Sequence, residues 1–353
     1  MQERRRVKPG VIWLLQNKAS EKYLHVPGGV TGSSRLIQWP DDRAPNSRWH
    51  IMPVSPGDTD TAYWIVGARS GLPVSPYDGS ANDGDIEQGQ RYTLNSQWEF
   101  IPYSDDHVIV QSVGSRKCLT TKAYDDNIQQ WGFENSTNSK DHRLWRLVKY
   151  REVSDFKMPD GYGGKPPEIG SPPKPSDTAQ TPESTTEVLV ASALLPLMAV
   201  QDDNSREWQA ENCPYYVLER WGYWKLSLYV GAPTSQERVS KVTFGLTTKN
   251  SRQVSEKTGI SVTAECGFAL NGFSASLKST FEKEIGVTTV SEEGKNFEST
   301  VEVSRKLDSS TGRKLAVWHR GDHYIVKRLG GRGTKVVEWR TLKSNIEETT
   351  ILR

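Results

Sequence analysis

The sequence has few cysteines and no long hydrophobic run. Its three cysteines, Cys118, Cys213 and Cys266, are far apart and odd in number, so they predict neither a disulfide framework nor a CxxC metal site. The longest apolar stretch, residues 188–200, contains Pro196 and is shorter than a membrane-spanning helix. We therefore expect no bound metal and no helical membrane anchor.

The chain also lacks a recognisable export signal and an excess of one charge. The basic start MQERRRVKPGVIWLL contains an apolar run too short for the core of a signal peptide. The formal net charge of +2 argues against a nucleic-acid-binding protein. No GxSxG, HExxH, P-loop or dinucleotide motif occurs, so we expect no enzyme, no catalytic residue and no cofactor.

The composition that remains is typical of an all-β protein. It includes 29 glycines and 19 prolines with only 35% hydrophobic residues, which favours short strands joined by many turns. Residues 157–187, rich in Pro, Gly, Ser and Thr, predict a semi-extended linker. This linker divides the chain into an N-terminal domain, residues 1–156, and a C-terminal domain, residues 188–353.

The N-terminal half contains three repeats. Trp49, Trp98 and Trp145 each close one repeat, at spacings of 49 and 47 residues, after related stretches such as LIQWPDDRAPNSRWHIMP. Short strands arranged three times around one tryptophan predict a threefold barrel with a shared core. Over roughly residues 8–150 the repeats resemble the ricin-B-type lectin repeat, a β-trefoil with a Gln-x-Trp-like strand before a closing Trp.

The lectin resemblance implies carbohydrate binding. A subsite in that family uses an Asp, an aromatic side chain and an Asn or Gln before the closing Trp, but the Asp positions here hold His25, Val74 and Thr120. Sugars stack on aromatic rings and their hydroxyls need polar acceptors, so two pockets are still candidates. The alternative is that the Gln and Trp residues only brace the barrel. The first candidate pocket is Trp39, Asp41, Asp42 and Asn46, and the second is Asp125, Asp126, Trp131 and Asn135.

The C-terminal half is predicted to consist of successive strands. The candidates are long for a compact sandwich, so we expect an elongated antiparallel sheet. The candidate strands are residues 213–230, 238–257, 295–307, 314–329 and 334–343.

Residues 260–281, ISVTAECGFALNGFSASLKSTF, alternate apolar and small polar side chains on both sides of Asn271-Gly272. An Asn-Gly pair in this context predicts a two-residue hairpin turn, because both central residues need positive φ. Leu270 then faces Phe273, and Glu265 faces Lys278 across the hairpin. The apolar face would hold Ile260, Val262, Ala264, Cys266, Phe268, Leu270, Phe273, Ala275, Leu277 and Phe281.

The predicted hairpin has the length and pattern of a bilayer-spanning pair of strands, apolar toward lipid and polar toward a lumen. An ordinary amphipathic hairpin on a sandwich core shows the same alternation and is the alternative. Insertion of one hairpin would leave backbone groups unpaired in lipid, so it requires several copies that close into a barrel. The apolar face must also be covered while the protein is in water.

Four blocks of the C-terminal half resemble the aerolysin-like module of the Toxin-ten pesticidal proteins (Tpp), which include binary mosquitocidal toxins. The blocks are PYYVLERWGYWKL (214–226), TGISV (258–262), FSASL (273–277) and AVWHRGDHYIVKR (316–328). The order of trefoil first and pore-forming module second is also that of the family. The resemblance implies an insecticidal toxin that binds a receptor, oligomerises and opens a β-barrel pore.

The resemblance also sets expectations about location and partners. It implies a bacterial inclusion, or release without a signal peptide, and action at the insect gut-cell membrane. The expected partners are a host receptor or glycan, the target membrane and further copies of the chain, with a second toxin component as a candidate. The linker is longer than the resemblance implies and is a candidate for activating cleavage. A non-lytic lectin or agglutinin is the alternative function.

Overall fold

The computed structural model contains two compact units built mainly from strands, which confirms the all-β prediction. One unit comprises Met1–Lys157, Leu195–Tyr216 and Arg328–Thr334, and the other comprises Met158–Leu194, Val217–Lys327 and Lys335–Arg353. The structure describes residues 5–40, 44–54, 62–77, 79, 84–133, 140–159, 167–176, 180–231, 234–246, 248–263, 267–270, 277–290, 298–307, 313–329 and 333–352.

The first unit is a threefold barrel of short antiparallel strands. A single turn of 3₁₀ helix precedes each closing tryptophan, at Pro45–Ser47, Leu94–Ser96 and Asp141–Arg143. The first and last strands pair from Val11 with Glu152 to Asn17 with Trp145. The strands are β1 (Val11–Asn17), β2 (Tyr23–His25), β3 (Ser34–Arg35), β4 (Ile37–Trp39), β5 (Trp49–Pro53), β6 (Tyr63–Gly67), β7 (Val74–Pro76), β8 (Gly84–Gln88), β9 (Gln97–Pro102), β10 (Val108–Ser112), β11 (Cys118–Thr121), β12 (Ile128–Trp131) and β13 (Leu144–Glu152).

The three closing tryptophans have equivalent positions in the core. Trp49, Trp98 and Trp145 are fully buried, and each indole N–H donates to a backbone carbonyl at 2.8–3.0 Å. A buried indole needs such an acceptor, so the same hydrogen bond recurs in every repeat. The predicted β-trefoil is confirmed. The acceptors are the carbonyls of Leu24, Val74 and Leu119, in that order.

Three buried glutamines join the repeats to one another. Gln38 of the first repeat donates to a carbonyl of the third at 3.0 Å, and Gln88 of the second donates to two carbonyls of the first at 3.0 and 2.7 Å. Gln130 of the third repeat donates to a carbonyl of the second at 2.8 Å. These glutamines therefore brace the barrel in a closed cycle. The acceptors are Asp125 for Gln38, Val30 and Gly32 for Gln88, and Gly79 for Gln130.

The first unit also contains residues from the C-terminal half of the sequence. Helix α1 (Arg206–Asn212) begins after Ser205, whose hydroxyl accepts from a backbone N–H of the first turn. The His50 Nε2 hydrogen-bonds the Ala210 carbonyl oxygen at 2.8 Å, and the Tyr215 hydroxyl donates to the Ile51 carbonyl at 3.5 Å. Burial lowers the pKa of His50 to about 4, so its ring is neutral at pH 7.

The second unit is built on long antiparallel strands, as the sequence predicts. One sheet has the order β14-β15-β21-β22, and β16 and β20 form a separate two-stranded ribbon. Its elements, some reaching into the first unit, are β14 (Val188–Pro196), β15 (Tyr215–Val230), β16 (Thr234–Gly245), α2 (Thr248–Thr258), β17 (Ile260–Val262), β18 (Phe268–Leu270), α3 (Lys278–Thr280) with a π-helical continuation (Phe281–Ile285), β19 (Thr289–Val290), β20 (Glu298–Leu307), β21 (Arg313–Arg328) and β22 (Lys335–Leu352).

The predicted strand over residues 238–257 is wrong in its second part. Strand β16 ends at Gly245, whose φ of +81° few other residues adopt. Helix α2 follows and buries Ser251, Val254 and Thr258, which are spaced by three and four residues. Only one of these side chains is strongly apolar, so the helical period is hidden in the sequence.

The predicted hairpin pairing is also wrong for this structure. Strand β17 pairs with β18, so that Ile260 faces Leu270 and Val262 faces Phe268. The prediction placed Ile260 to Leu270 on one arm of the hairpin. The Thr263 hydroxyl donates to the Gly267 carbonyl at 3.1 Å and accepts from its N–H at 3.0 Å. This side chain closes the earlier turn. The predicted residues Ala264, Cys266, Asn271, Gly272, Phe273 and Ala275 lie outside the described residues.

The predicted second arm of the hairpin is helical where the structure describes it. Leu277, Phe281 and Ile285 lie four residues apart and are buried together, while Lys278 approaches Glu282, one turn later, to 3.8 Å. The helical spacing therefore prevails over the alternation in this part of the sequence. Among the described residues, no helix is long and apolar enough to cross a membrane.

The last part of the predicted linker packs within the second unit. The Trp224 indole donates to the Gly170 carbonyl at 3.0 Å. Main-chain hydrogen bonds also join Thr185 to Trp224 and Leu226 to Glu183, both at 2.9 Å. On both sides of residues 177–179, the described part of the predicted linker is therefore hydrogen-bonded to β15 of the sheet.

Candidate functional site

The folded-back segment, residues 260–285, buries its apolar side chains inside the second unit. At its centre, the Phe268 ring lies 5.8 Å from that of Phe281, 5.1 Å from that of Tyr324 and 6.0 Å from that of Trp339. Burial of each large apolar side chain contributes roughly 1.5–3 kcal/mol. Phe268 is thus covered by aromatic side chains of β21 and β22. Its fully buried apolar members are Ile260, Val262, Phe268, Ala269, Leu277, Phe281 and Ile285.

A buried guanidinium holds the end of the helical part of this segment. The Arg220 Nη1 donates to the carbonyls of Ile285 and Gly286, both at 2.9 Å, and its Nη2 donates to the Asp322 Oδ2 at 2.8 Å. The last carbonyls of a helix have no partner within it, and a cation there is favourable. Gly286, with φ of +67°, ends the helix. The arginine clamp, Arg220 with Asp322, therefore ties the segment to β15 and β21.

The clamp is shielded from water. The side chains of Arg220 and Asp322 are 11% and 1% exposed, and a second guanidinium, that of Arg320, lies 3.8 Å from the other oxygen of Asp322. Burial lowers the pKa of Arg320. Breaking a buried pair from one side leaves an uncompensated charge, so this contact is costly to lose.

Glu284 places an acidic group in the same helical turn. Its Oε2 is buried and has no hydrogen-bond partner in the part of the chain that the structure describes. Burial raises the pKa of Glu284 to about 8, since the charged form loses its hydration. The carboxyl is therefore mostly neutral at pH 7 and becomes charged in mildly alkaline solution.

The first predicted glycan pocket has an accessible aromatic platform. Trp39 is 44% exposed and stacks on His25 at 5.9 Å between ring centroids, while His25 Nδ1 hydrogen-bonds the Ser47 hydroxyl at 2.8 Å. The Asn46 amide oxygen instead accepts from Arg69 Nη1 at 3.2 Å. Asp41 and Asp42 lie outside the described residues.

The second predicted glycan pocket has polar groups that are engaged within the protein. Asp126 pairs with Lys22 at 2.6 Å, and the Asp125 Oδ1 accepts from the backbone N–H of Asn127 at 2.8 Å. Trp131 is half-buried at the end of β12, and Asn135 lies outside the described residues. Both glycan pockets remain predictions.

Sequence reasoning missed the clamp and Glu284. Arg220 shares one face of β15 with Leu218 and Trp224, because side chains alternate along a strand. A charge on an otherwise apolar face was a usable signal. Its partner Asp322 is 102 residues away in the chain, so no local pattern could identify the pair.

Two family models match separate parts of the chain. Residues 188–353 match the family described as Insecticidal Crystal Toxin, P42, and residues 4–89 match the one described as ricin-type β-trefoil lectin domain-like. No curated protein matches the chain at a significant level.

Several solved structures are similar to all or part of the chain. The crystal structure of Cry35Ab1 aligns with a TM-score of 0.78 and 16% identity, over 98% of this chain and 90% of that chain. The designed threefold protein ThreeFoil gives a TM-score of 0.35 at 20% identity, over 39% of this chain and 99% of its own. The ricin B-like lectin of Macrolepiota procera with lactose gives 0.33 at 14% identity, over 41% and 100%. The first of these matches extends over both units.

Proposed function

We propose that this chain is a pore-forming toxin. The proposal starts from the match of residues 188–353 to the family described as Insecticidal Crystal Toxin, P42, and of residues 4–89 to a ricin-type β-trefoil. The trefoil recognises the surface of a target cell, and a glycan is one candidate receptor. Several copies then associate, and residues 260–281 of each copy open into a hairpin of a shared transmembrane barrel.

The observation that carries this proposal is a disagreement between the sequence pattern of residues 260–281 and their structure in the folded protein. Residues 260–281 alternate like one long hairpin. The described residues of this stretch instead form β17 and β18, of three residues each, and a helical stretch from Lys278 onward. A segment whose alternation and helical spacing disagree can support two structures. This conflict favours a segment stored in one conformation and used in another.

The open hairpin is energetically favourable only in a membrane and only as part of an assembly of several copies. Release exposes Phe268, Leu277 and Phe281, at roughly 1.5–3 kcal/mol for each side chain. Lipid can cover the same side chains again, and closure into a barrel pairs the backbone groups of the strands. Insertion is therefore favourable only when both conditions are met.

A disulfide across β17 and β18 tests the proposal. Ile260 and Leu270 face each other in the structure, whereas in a hairpin that turns at Asn271-Gly272 Ile260 lies opposite Lys283. We expect oxidised Ile260→Cys/Leu270→Cys, in a Cys266→Ser background, to release no dye from liposomes that carry target-cell lipids and receptor, and dithiothreitol to restore release.

The control disulfide lies outside the segment. Thr243 and Thr300 face each other on β16 and β20, with hydroxyls 3.1 Å apart, so Thr243→Cys/Thr300→Cys cross-links strands that the proposal leaves paired. This variant should release dye when oxidised. Leakage from the oxidised Ile260→Cys/Leu270→Cys protein would contradict the proposal. Binding without leakage in the native protein would instead favour the non-lytic lectin.

A further inference from the structure

A cavity of about 350 Å³ lies within the first unit, beside helix α1. Three arginines of the trefoil and two glutamates of the helix line it, together with a few apolar side chains. Its volume lies within the range of small-molecule sites. None of the residues of the first predicted glycan pocket is among the lining residues, although Asn46 of that pocket accepts a hydrogen bond from the lining residue Arg69. The charged residues are Arg48, Arg69, Arg151, Glu207 and Glu211.

Backbone pairing brings two of the arginines together. The Ala68 N–H donates to the Arg48 carbonyl at 2.9 Å, which places Arg48 next to the turn that carries Arg69. The guanidinium carbon of Arg48 lies 4.1 Å from the centre of the Tyr150 ring, and Arg69 donates to Asn46 at 3.2 Å. Both guanidinium groups are thus positioned by contacts within the protein.

The third arginine and the helix are positioned through β1. Ile12 pairs with Arg151 on one side and with His50 on the other, and His50 holds α1 through the Ala210 carbonyl at 2.8 Å. Glu207 and Glu211 are four residues apart and share one face of this helix. The backbone of the helix that carries both glutamates is therefore held next to β5, which directly follows Arg48, and β1 joins β5 to β13, which carries Arg151.

Four of the charged side chains that line the cavity form no ion pairs with one another. Neither Arg69 nor Arg151 forms an ion pair within 4.0 Å with another described residue, and the same holds for Glu207 and Glu211. A ligand that carries both an anionic group and hydroxyl donors would satisfy both sets. Guanidinium groups bind carboxylates through two parallel hydrogen bonds, and carboxylate oxygens accept from hydroxyls.

We propose that this cavity binds a carboxylated sugar. The acid group lies against Arg69 and Arg151, the hydroxyls donate to Glu207 and Glu211, and the C–H face of the ring packs on Ile12 and Pro45. Three guanidinium groups against two carboxylates favour an anionic over a neutral saccharide. The inference rests on the cell-surface recognition in the proposed function, but it is independent of pore formation.

Calorimetric titration of the full chain with 3′-sialyllactose and with lactose tests this site. We expect the acidic sugar to bind at least tenfold more tightly than lactose, and Arg69→Gln/Arg151→Gln to remove this preference. The matched control, Arg35→Gln/Arg146→Gln, removes two exposed arginines of the same unit outside the cavity and should change the affinity less than twofold. Thermal unfolding followed by circular dichroism verifies that each variant is folded.

Three outcomes would overturn the inference. They are equal affinity for the two sugars, unchanged binding by folded Arg69→Gln/Arg151→Gln, and binding of free glutamate as tight as that of 3′-sialyllactose, which would assign the cavity to amino acids. Liposome leakage is measured separately. Leakage without sugar binding would contradict this inference alone, whereas sugar binding without leakage would contradict the pore proposal alone.

Discussion

The repeats of the trefoil and the folded-back segment bury large aromatic side chains equally well but in different local structures. Trp49, Trp98 and Trp145 are fully buried in repeats whose strands follow the sequence pattern. Phe268 and Phe281 are just as buried, yet they lie on a three-residue strand and a helical turn within an alternating sequence. Burial alone therefore does not commit a segment to one conformation, because the local pattern must agree with the tertiary packing.

The largest expected effect is the loss of stability when a closing tryptophan of the trefoil is removed. Trp98→Ala removes a fully buried side chain and leaves the Val74 carbonyl without its donor, so we expect a loss of about 3–5 kcal/mol in the free energy of unfolding, measured in urea. Phe268→Ala should instead increase amide exchange in residues 260–285 and leave unfolding of the trefoil unchanged. An equal loss of trefoil stability from Phe268→Ala would remove the contrast.

Removal of the arginine clamp tests what holds the segment in place. Among the described residues, Arg220→Met leaves the buried Asp322 with one cation, Arg320 at 3.8 Å. We therefore expect local stability to fall by about 3 kcal/mol, seen as faster amide exchange at residues 278–286. The double variant Arg220→Met/Asp322→Leu removes both charges and should recover most of the protection. Unchanged exchange in the single variant would show that the clamp does not restrain the segment.

The third prediction is a dependence of segment release on pH. Glu284 has a pKa of about 8 in the packed state, raised from 4.5. The packed state therefore keeps a proton that the released state loses, and its stability falls as pH rises from about 4.5 to about 8. The slope is at most about 1.4 kcal/mol per pH unit and is reduced by partial exposure of the residue.

Amide exchange or leakage at several pH values measures this dependence. Glu284→Gln should flatten the profile, because the amide is neutral in both states. Glu282→Gln changes an exposed carboxylate of the same turn and should keep the slope. A profile in Glu284→Gln as steep as in the native protein would assign the dependence to another group.

The smallest expected effect concerns the surface of the segment. Lys278 and Glu282 are 61% and 41% exposed and 3.8 Å apart, so Lys278→Gln should lower the local stability of the segment by only about 0.2–0.5 kcal/mol. Amide exchange of the segment measures the change. A loss as large as that in Arg220→Met would mean that the helical turn, and not the clamp, holds the segment.

The trefoil was predictable because its signal is repeated. The same tryptophan environment occurs at Trp49, Trp98 and Trp145, and each copy needs the same core position and acceptor. The glutamine braces were open to interpretation, since a Gln next to Trp39 or Trp131 suits a sugar site as well as a structural role. Their partners lie in other repeats, where spacing gives no information.

The folded-back segment was predictable only in its amphipathic character. The Asn-Gly turn signal is local, but Thr263 with Gly267 forms an earlier turn, and the four-residue spacing of Leu277 and Phe281 follows it. Helix α2 was missed because Val254 is the single strongly apolar residue on its buried face. Contacts such as that of Arg220 with Asp322 depend on the complete tertiary structure.

The first unit is built from three separate stretches of the sequence, and this limits where the chain can be divided. Ala210 and Tyr215 lie beyond the linker in the sequence, yet they contact His50 and Ile51 of the barrel. Replacement of residues 1–157 by another trefoil would separate these partners and expose both sides of the contact. An intact exchange of the barrel is therefore expected to require that Leu195–Tyr216 be exchanged together with it.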